Sequence, residues 1–390
     1  MTPADLSRTV LHAVRRAVDE DALHAPVPPR VRVERTRPGG SGDYACAVAL
    51  QLAGPAALPA LEVARILRDR VAAEPGVGRV EITGPGFLSF TLAAPAESDR
   101  AVLTAVREQG LAYGHGDALR DQILQFHHAR EVRAAVTAHA VRRLVLAQGA
   151  RVRTSCEEEP DPDWARLGVA VDAYGTPPTP LTGIRPVPAG ATAGELLRRL
   201  GPDAARWGLL RAAGHDRAAL GPDLLVQGEA NPLFRVRYAH ARARALTRGA
   251  AALGFTAETT APAPYANGRP APSAEDPAAP GLTAETTAQG EDPAAHLAHD
   301  PAARPLLDLI ADHPGALLAG ARHRAPDRVA RQLEAVAHAF FDFHDACPPL
   351  PAGDEKPSAA HRSRLALAEA AGTVLAGGLS LLGIRAPEHL

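Results

Sequence analysis

Apolar residues recur every three or four positions at the start of the chain. Leu6, Val10, Leu11, Val14 and Val18 share one side of a helix predicted over residues 5–20. The pattern then switches to alternation: "PPRVRVERTR" (28–37) trades valine for arginine and predicts a strand. "GDYACAVALQLA" (42–53) reads as a helix opened by Asp43, and "PALEVARILRDRVAAE" (59–74) as a second. "GRVEITGPGFLSFTLA" (78–93) reads as two strands around a Gly-Pro-Gly turn. Helices and strands mixed over so short a length predict a small α+β domain spanning 1–95.

From residue 120 the pattern is strand, helix, strand: "RDQILQFHHA" (120–129), then 130–149 ended by Gly149, then "ARVRTS" (150–155). Residues 156–190 are rich in Pro, Asp, Gly and Thr and have no period. A helix returns over 192–214, where Thr192 and Glu195 form a capping box. Residues 257–303 hold mostly Ala, Pro, Thr, Glu, Asp and Gly, a composition too poor in apolar bulk to order itself, and are expected to be a flexible insertion. Helices are predicted near 304–319, 325–347 and 358–383.

The segment "NPLFRVRYAHARARALTR" (231–248) crowds Arg235, Arg237, Arg242, Arg244 and Arg248 onto one predicted helix. At about 100° per residue, Phe234, Tyr238, Ala241 and Ala245 form a narrow apolar seam. Arg237, Arg244 and Arg248 flank it on one side, Arg235 and Arg242 on the other. Such a helix either pairs its arginines with acidic neighbours or docks on phosphates, which the guanidinium fork binds with two parallel bonds.

Composition sharpens this only slightly. The 390 residues carry a formal net charge of −2, and Lys356 is the one lysine, so arginine abundance by itself is uninformative. Cys46, Cys156 and Cys347 are widely spaced and odd in number, which fits unpaired thiols in a reducing cytoplasm. No run approaches bilayer length, so no membrane partner is expected.

Several stretches together resemble arginyl-tRNA synthetases. "GDYACAVALQLA", "GPGFLSFTLA" and "AYGHGDAL" (112–119) are similar to the family's additional N-terminal domain and the link after it. "LGPDAARWGLLRA", "NPLFRVRYAHARARAL", "RVARQLEAVAHAFFDFHDACPPLP" and "LLGIRAPEHL" are similar to the approach to its helical DALR anticodon-binding domain and to that domain itself. The resemblance implies a multidomain α/β plus all-α protein. It would comprise an additional-type domain (1–95), a truncated Rossmann-like class I remnant with connecting helices (96–228), and a DALR helical bundle (229–390). It implies tRNA as partner, tRNA-Arg among the candidates, with a monomer expected.

The centre departs from the family. Where a His-x-Gly-His signature would stand, the chain has His128, Ala129, Arg130 and Glu131. An anion at the last position opposes the phosphate charge that the signature stabilises. The polar loop before the signature is missing between Phe126 and His128. The second, lysine-bearing signature corresponds to "LTGIRPVPAG" (181–190), whose one cation is Arg185. The family uses ATP and Mg²⁺, and the degenerate signatures imply no cofactor here. Ser89 replaces the family's usual Asn, which puts a tRNA-elbow contact in doubt. His127, Glu131 and His139 lack further ligands for a metal, and the run holding His338, Asp342, His344 and Cys347 reads as a core helix packed by Phe340, Phe341 and Phe343. The expected function is tRNA binding without catalysis, through Arg235, Arg237, Tyr238, Arg242, Arg244 and Arg248. The alternatives are a working arginine–tRNA ligase and a protein-binding regulatory module.

Overall fold

The computed structural model describes residues 3–36, 41–72, 74, 77–92, 95–257, 297 and 300–389. Most of the segment read as a flexible insertion lies outside the described residues.

The first unit is α+β. Helix α1 (Pro3–Asp19) buries Leu6, Val10, Ala13, Val14 and Ala17. Strands β1 (Val33–Arg35), β2 (Tyr44–Cys46), β3 (Val77–Thr83) and β4 (Phe87–Leu92) form an antiparallel sheet of order β1-β2-β4-β3. Helices α2 (Val48–Ala56) and α3 (Ala60–Ala72) pack on it. The helix expected over 42–53 is therefore corrected. Tyr44, Ala45 and Cys46 pair with Phe90, Ser89 and Leu88 of β4, a non-local ladder that overrides the helical spacing, and the helix starts only at Val48. No single described helix is long and apolar enough to cross a membrane.

Helix α4 (Pro95–Gln109) leads to a second sheet. Strands β5 (Ile123–His128), β6 (Arg151–Cys156), β7 (Ala173–Tyr174) and β8 (Thr182–Ile184) run parallel in the order β7-β6-β5-β8. Helix α5 (Val132–Ala147) crosses from β5 to β6 and is almost wholly buried; Gly149 turns the chain at φ 83°. Helix α6 (Ala193–Arg211) opens with the expected Thr192–Glu195 capping box and kinks where Gly201 (φ 70°) precedes Pro202. The remaining helices are α7 (Pro232–Ala252), α8 (Ala303–His323), α9 (Pro326–Ala346) and α10 (Ala359–Leu381). One apolar core runs from Val102 to Ile384, so the parallel sheet and the helical bundle share an interior across the boundary read at 228/229. The N-terminal unit meets the bundle through Arg35, which pairs with Asp308 and Asp312 of α8.

Candidate functional site

At the β5–α5 turn, the sheet brings the two expected signature segments together. β8 pairs with β5 in parallel, His128 beside Ile184, so residues 185–190 pass the start of α5. His128 is buried; its Nδ1 donates to the Ala129 carbonyl, and burial holds its pKa below the ordinary histidine value. Arg130 reaches away and donates to the Glu159 carbonyl. Arg185 is exposed and folds back over Gly183.

Glu131 is the N-cap of α5. Its carboxylate accepts the Ala134 N–H at 2.8 Å and the Ala189 N–H at 2.9 Å. The first helical turn, the place where free N–H groups and the helix dipole hold a phosphate, is thus filled by the protein's own anion. Beyond the repulsion expected from the sequence, the carboxylate pins the second signature segment to the first.

Sequence reasoning missed Arg133. It is 1% exposed, and its guanidinium donates to five carbonyls: Leu209, Ala212 and Ala213 at the C-terminus of α6, Val187, and Asp216. An arginine has five N–H donors, and here all are used. The cation also sits at the negative end of a helix. A lone arginine among Val132, Ala134, Ala135 and Val136 was the available signal. Arg206 is its counterpart deeper in the core. It donates to the carbonyls of Leu382 and Leu167, touches His139, and is pushed by burial down to about 10.

The candidate metal ligands diverge. His127 pairs with Ser155, Glu131 with backbone amides and His139 with Arg206. Among the described residues no group of three His, Cys, Asp or Glu converges on a metal position. Burial and the nearby Arg206, Arg143 and Arg142 push His139 down to about 4. His313 in α8, fully buried and stacked on Tyr113, is likewise pushed to about 4 by burial. Ser89 is buried and bonded to Thr83, so it presents nothing to the surface.

On α7 the apolar seam is corrected. The buried face is Leu233, Val236, Ala239, His240, Ala243, Leu246 and Ala250, together with Ala241 of the expected seam. Tyr238 is 44% exposed and stacks between Phe234 and Phe341, centroids 5.5 Å apart on each side. Phe341, expected in the core, is therefore a partly exposed surface ring, whereas Phe340 and Phe343 are buried. The two arginine flanks have different partners. Arg237 is half-buried beside Asp203 (3.6 Å), Arg244 pairs with Glu388 (3.1 Å), and Arg248 reaches the Glu388 carbonyl and His389. On the other flank, Arg235 donates to Nδ1 of His338 and Arg242 to Nε2 of His344; the opposite ring nitrogens face Asp342 and Asp345, so these arginines meet carboxylates only through an imidazole. A cavity of about 850 Å³ opens between the first flank and the 384–388 segment.

These features define a two-part protein: an α+β unit and a parallel-sheet unit fused to a helical bundle with a cationic, aromatic face. The profile of the arginyl-tRNA synthetase N-terminal domain matches residues 5–92, and that of the DALR anticodon-binding domain matches 282–390. The arginine–tRNA ligase of Frankia alni is 27% identical over 586 aligned positions that cover all of both chains, and that of Renibacterium salmoninarum is 24% identical with the same coverage. With 390 residues spread over 586 positions, a large share of the relative faces gaps. The fold matches the Thermus thermophilus arginyl-tRNA synthetase over the whole of both chains (TM-score 0.61, 15% identity). It also matches the Plasmodium falciparum enzyme, over 100% of this chain and 99% of that one (TM-score 0.59, 8% identity). The chain belongs to the arginyl-tRNA synthetase family.

Proposed function

We propose that the chain is a tRNA-binding member of this family that does not activate arginine. The observation that carries the loss of activation is the Glu131 carboxylate on the α5 N-terminus. The residues there do not fit a nucleotide triphosphate: an anion occupies the N–H groups, and segment 181–190 offers only Arg185 as a cation. Support for RNA binding is the DALR match and the exposed Tyr238 between Arg235 and Arg242. Unpaired loop bases are read by stacking on such rings, and phosphates by such guanidinium groups. A monomeric cytoplasmic protein belongs to the same proposal.

The full-length relatives named arginine–tRNA ligases favour a second reading, a working ligase with a reduced catalytic domain. One assay separates the two. Arginine-dependent ATP–pyrophosphate exchange is expected at background, while the same preparation retards tRNA in a filter-binding titration. Exchange clearly above background sinks the non-catalytic reading and leaves the ligase.

A further inference from the structure

The sequence "ARHRAPDRVAR" (321–331) places Arg322, His323, Arg324, Arg328 and Arg331 in eleven residues that contain one acid, Asp327. Asp327 is buried and satisfied by Arg331. Among the described residues no carboxylate lies within ion-pair distance of Arg322, Arg324 or Arg328, and all three are exposed. Burial, and secondarily the charge of Arg30 from the N-terminal unit, hold Arg322 below its ordinary pKa. Arg324, Arg328 and Arg331, with His215, His323 and one acid, Asp327, line a cavity of about 730 Å³ between the C-terminus of α6 and the α8–α9 turn. With Asp327 taken up by Arg331, the charges of Arg324 and Arg328 are the excess in this cavity.

Its place on α9 suggests what it meets. From Arg328 to Phe341 the helix rises about 20 Å. At about 100° per residue, Arg328 and Arg331 fall on the same solvent side as His338, the partner of Arg235. The cationic cavity and the Arg235–His338 pair are thus two ends of one exposed helix side; Glu334 lies between them, neutralised by Arg211, and Phe341 is turned about 80° away from Arg331. A free phosphate or nucleotide would use one end; a polyanion laid along α9 uses both.

We propose that the cavity at the α8–α9 turn is a second phosphate-binding surface, which grips the backbone of the bound RNA beyond its anticodon stem-loop through Arg324 and Arg328. This rests on the RNA-binding reading above. The test titrates the full chain, wild type and Arg324→Gln/Arg328→Gln, against unmodified full-length tRNA and an isolated anticodon stem-loop at several salt concentrations. The double variant is expected to bind full-length tRNA about tenfold more weakly, with a log–log salt slope smaller by roughly two phosphate contacts. Stem-loop affinity should be unchanged. Arg324→Lys/Arg328→Lys, which keeps the charge, should restore most of the slope. An unchanged slope on full-length tRNA, or an equal loss on the stem-loop, overturns the second surface and leaves RNA binding standing. A wild-type chain with no affinity for tRNA overturns both.

Discussion

The start of α5 and the outer face of α7 are both rich in charge, yet they use it in opposite directions. At α5, Glu131 and Arg133 spend their hydrogen-bonding capacity on backbone amides and carbonyls of their own chain. On α7, Arg235 and Arg242 lean on the imidazoles of His338 and His344 at the surface, contacts that a phosphate can replace at little cost. The difference teaches that charge density alone does not mark a binding site. What matters is whether the partners are fixed backbone groups or exchangeable side chains.

The sharpest way to break this comparison is Arg133→Met. If the guanidinium is a structural clamp, its loss strands several buried carbonyls at about 1–3 kcal/mol each, so global stability should fall by at least about 3 kcal/mol. Chemical denaturation followed by circular dichroism measures it; a change below about 1 kcal/mol means that water or a ligand serves those carbonyls equally well. Acid should act next most strongly. His139 and His313 are pushed to about 4 when folded. The unfolded chain therefore binds more protons between about pH 6.5 and 4, and stability is lost as pH falls through that window. The expected cost is about 2 kcal/mol per histidine between pH 7 and pH 5. Thermal unfolding at the two pH values should show the drop, and His313→Gln should remove about half of it. The smallest effect belongs to the outer face. Arg235→Gln/Arg242→Gln should weaken tRNA binding about tenfold, with the melting temperature little changed. An unaltered salt dependence would assign these arginines to a solvated surface.

How much of this was legible in the sequence depended on the distance between partners. The strand–helix–strand unit over 120–155 and the Thr192 cap are local, and both stand in the structure. Tyr44–Cys46 was misread because its strand partner lies more than forty residues on, in β4. The α7 seam was drawn through the large rings, whereas half of the buried stripe is alanine, joined by Leu233, Val236, Leu246 and His240. Among so many alanines, size is a poor guide to which stripe packs. The partners of Arg133 were beyond reach, since its acceptors lie 54 to 83 residues away. The split between flanks was equally hidden, because Asp203, His338, His344 and Glu388 come from three other segments.

The four-stranded parallel sheet has a last consequence, for self-association. A four-stranded open sheet has two edge strands, and open edges invite a second chain to add its own strand. Here the edges are Ala173–Tyr174 and Thr182–Ile184, two and three residues long. Pro177, Pro178 and Pro180 separate them, and Pro186 and Pro188 follow the second. Proline donates no amide to a ladder, so an incoming strand finds too few groups to register against. The prolines that leave residues 156–190 without a readable period thus bracket both edge strands and keep them short.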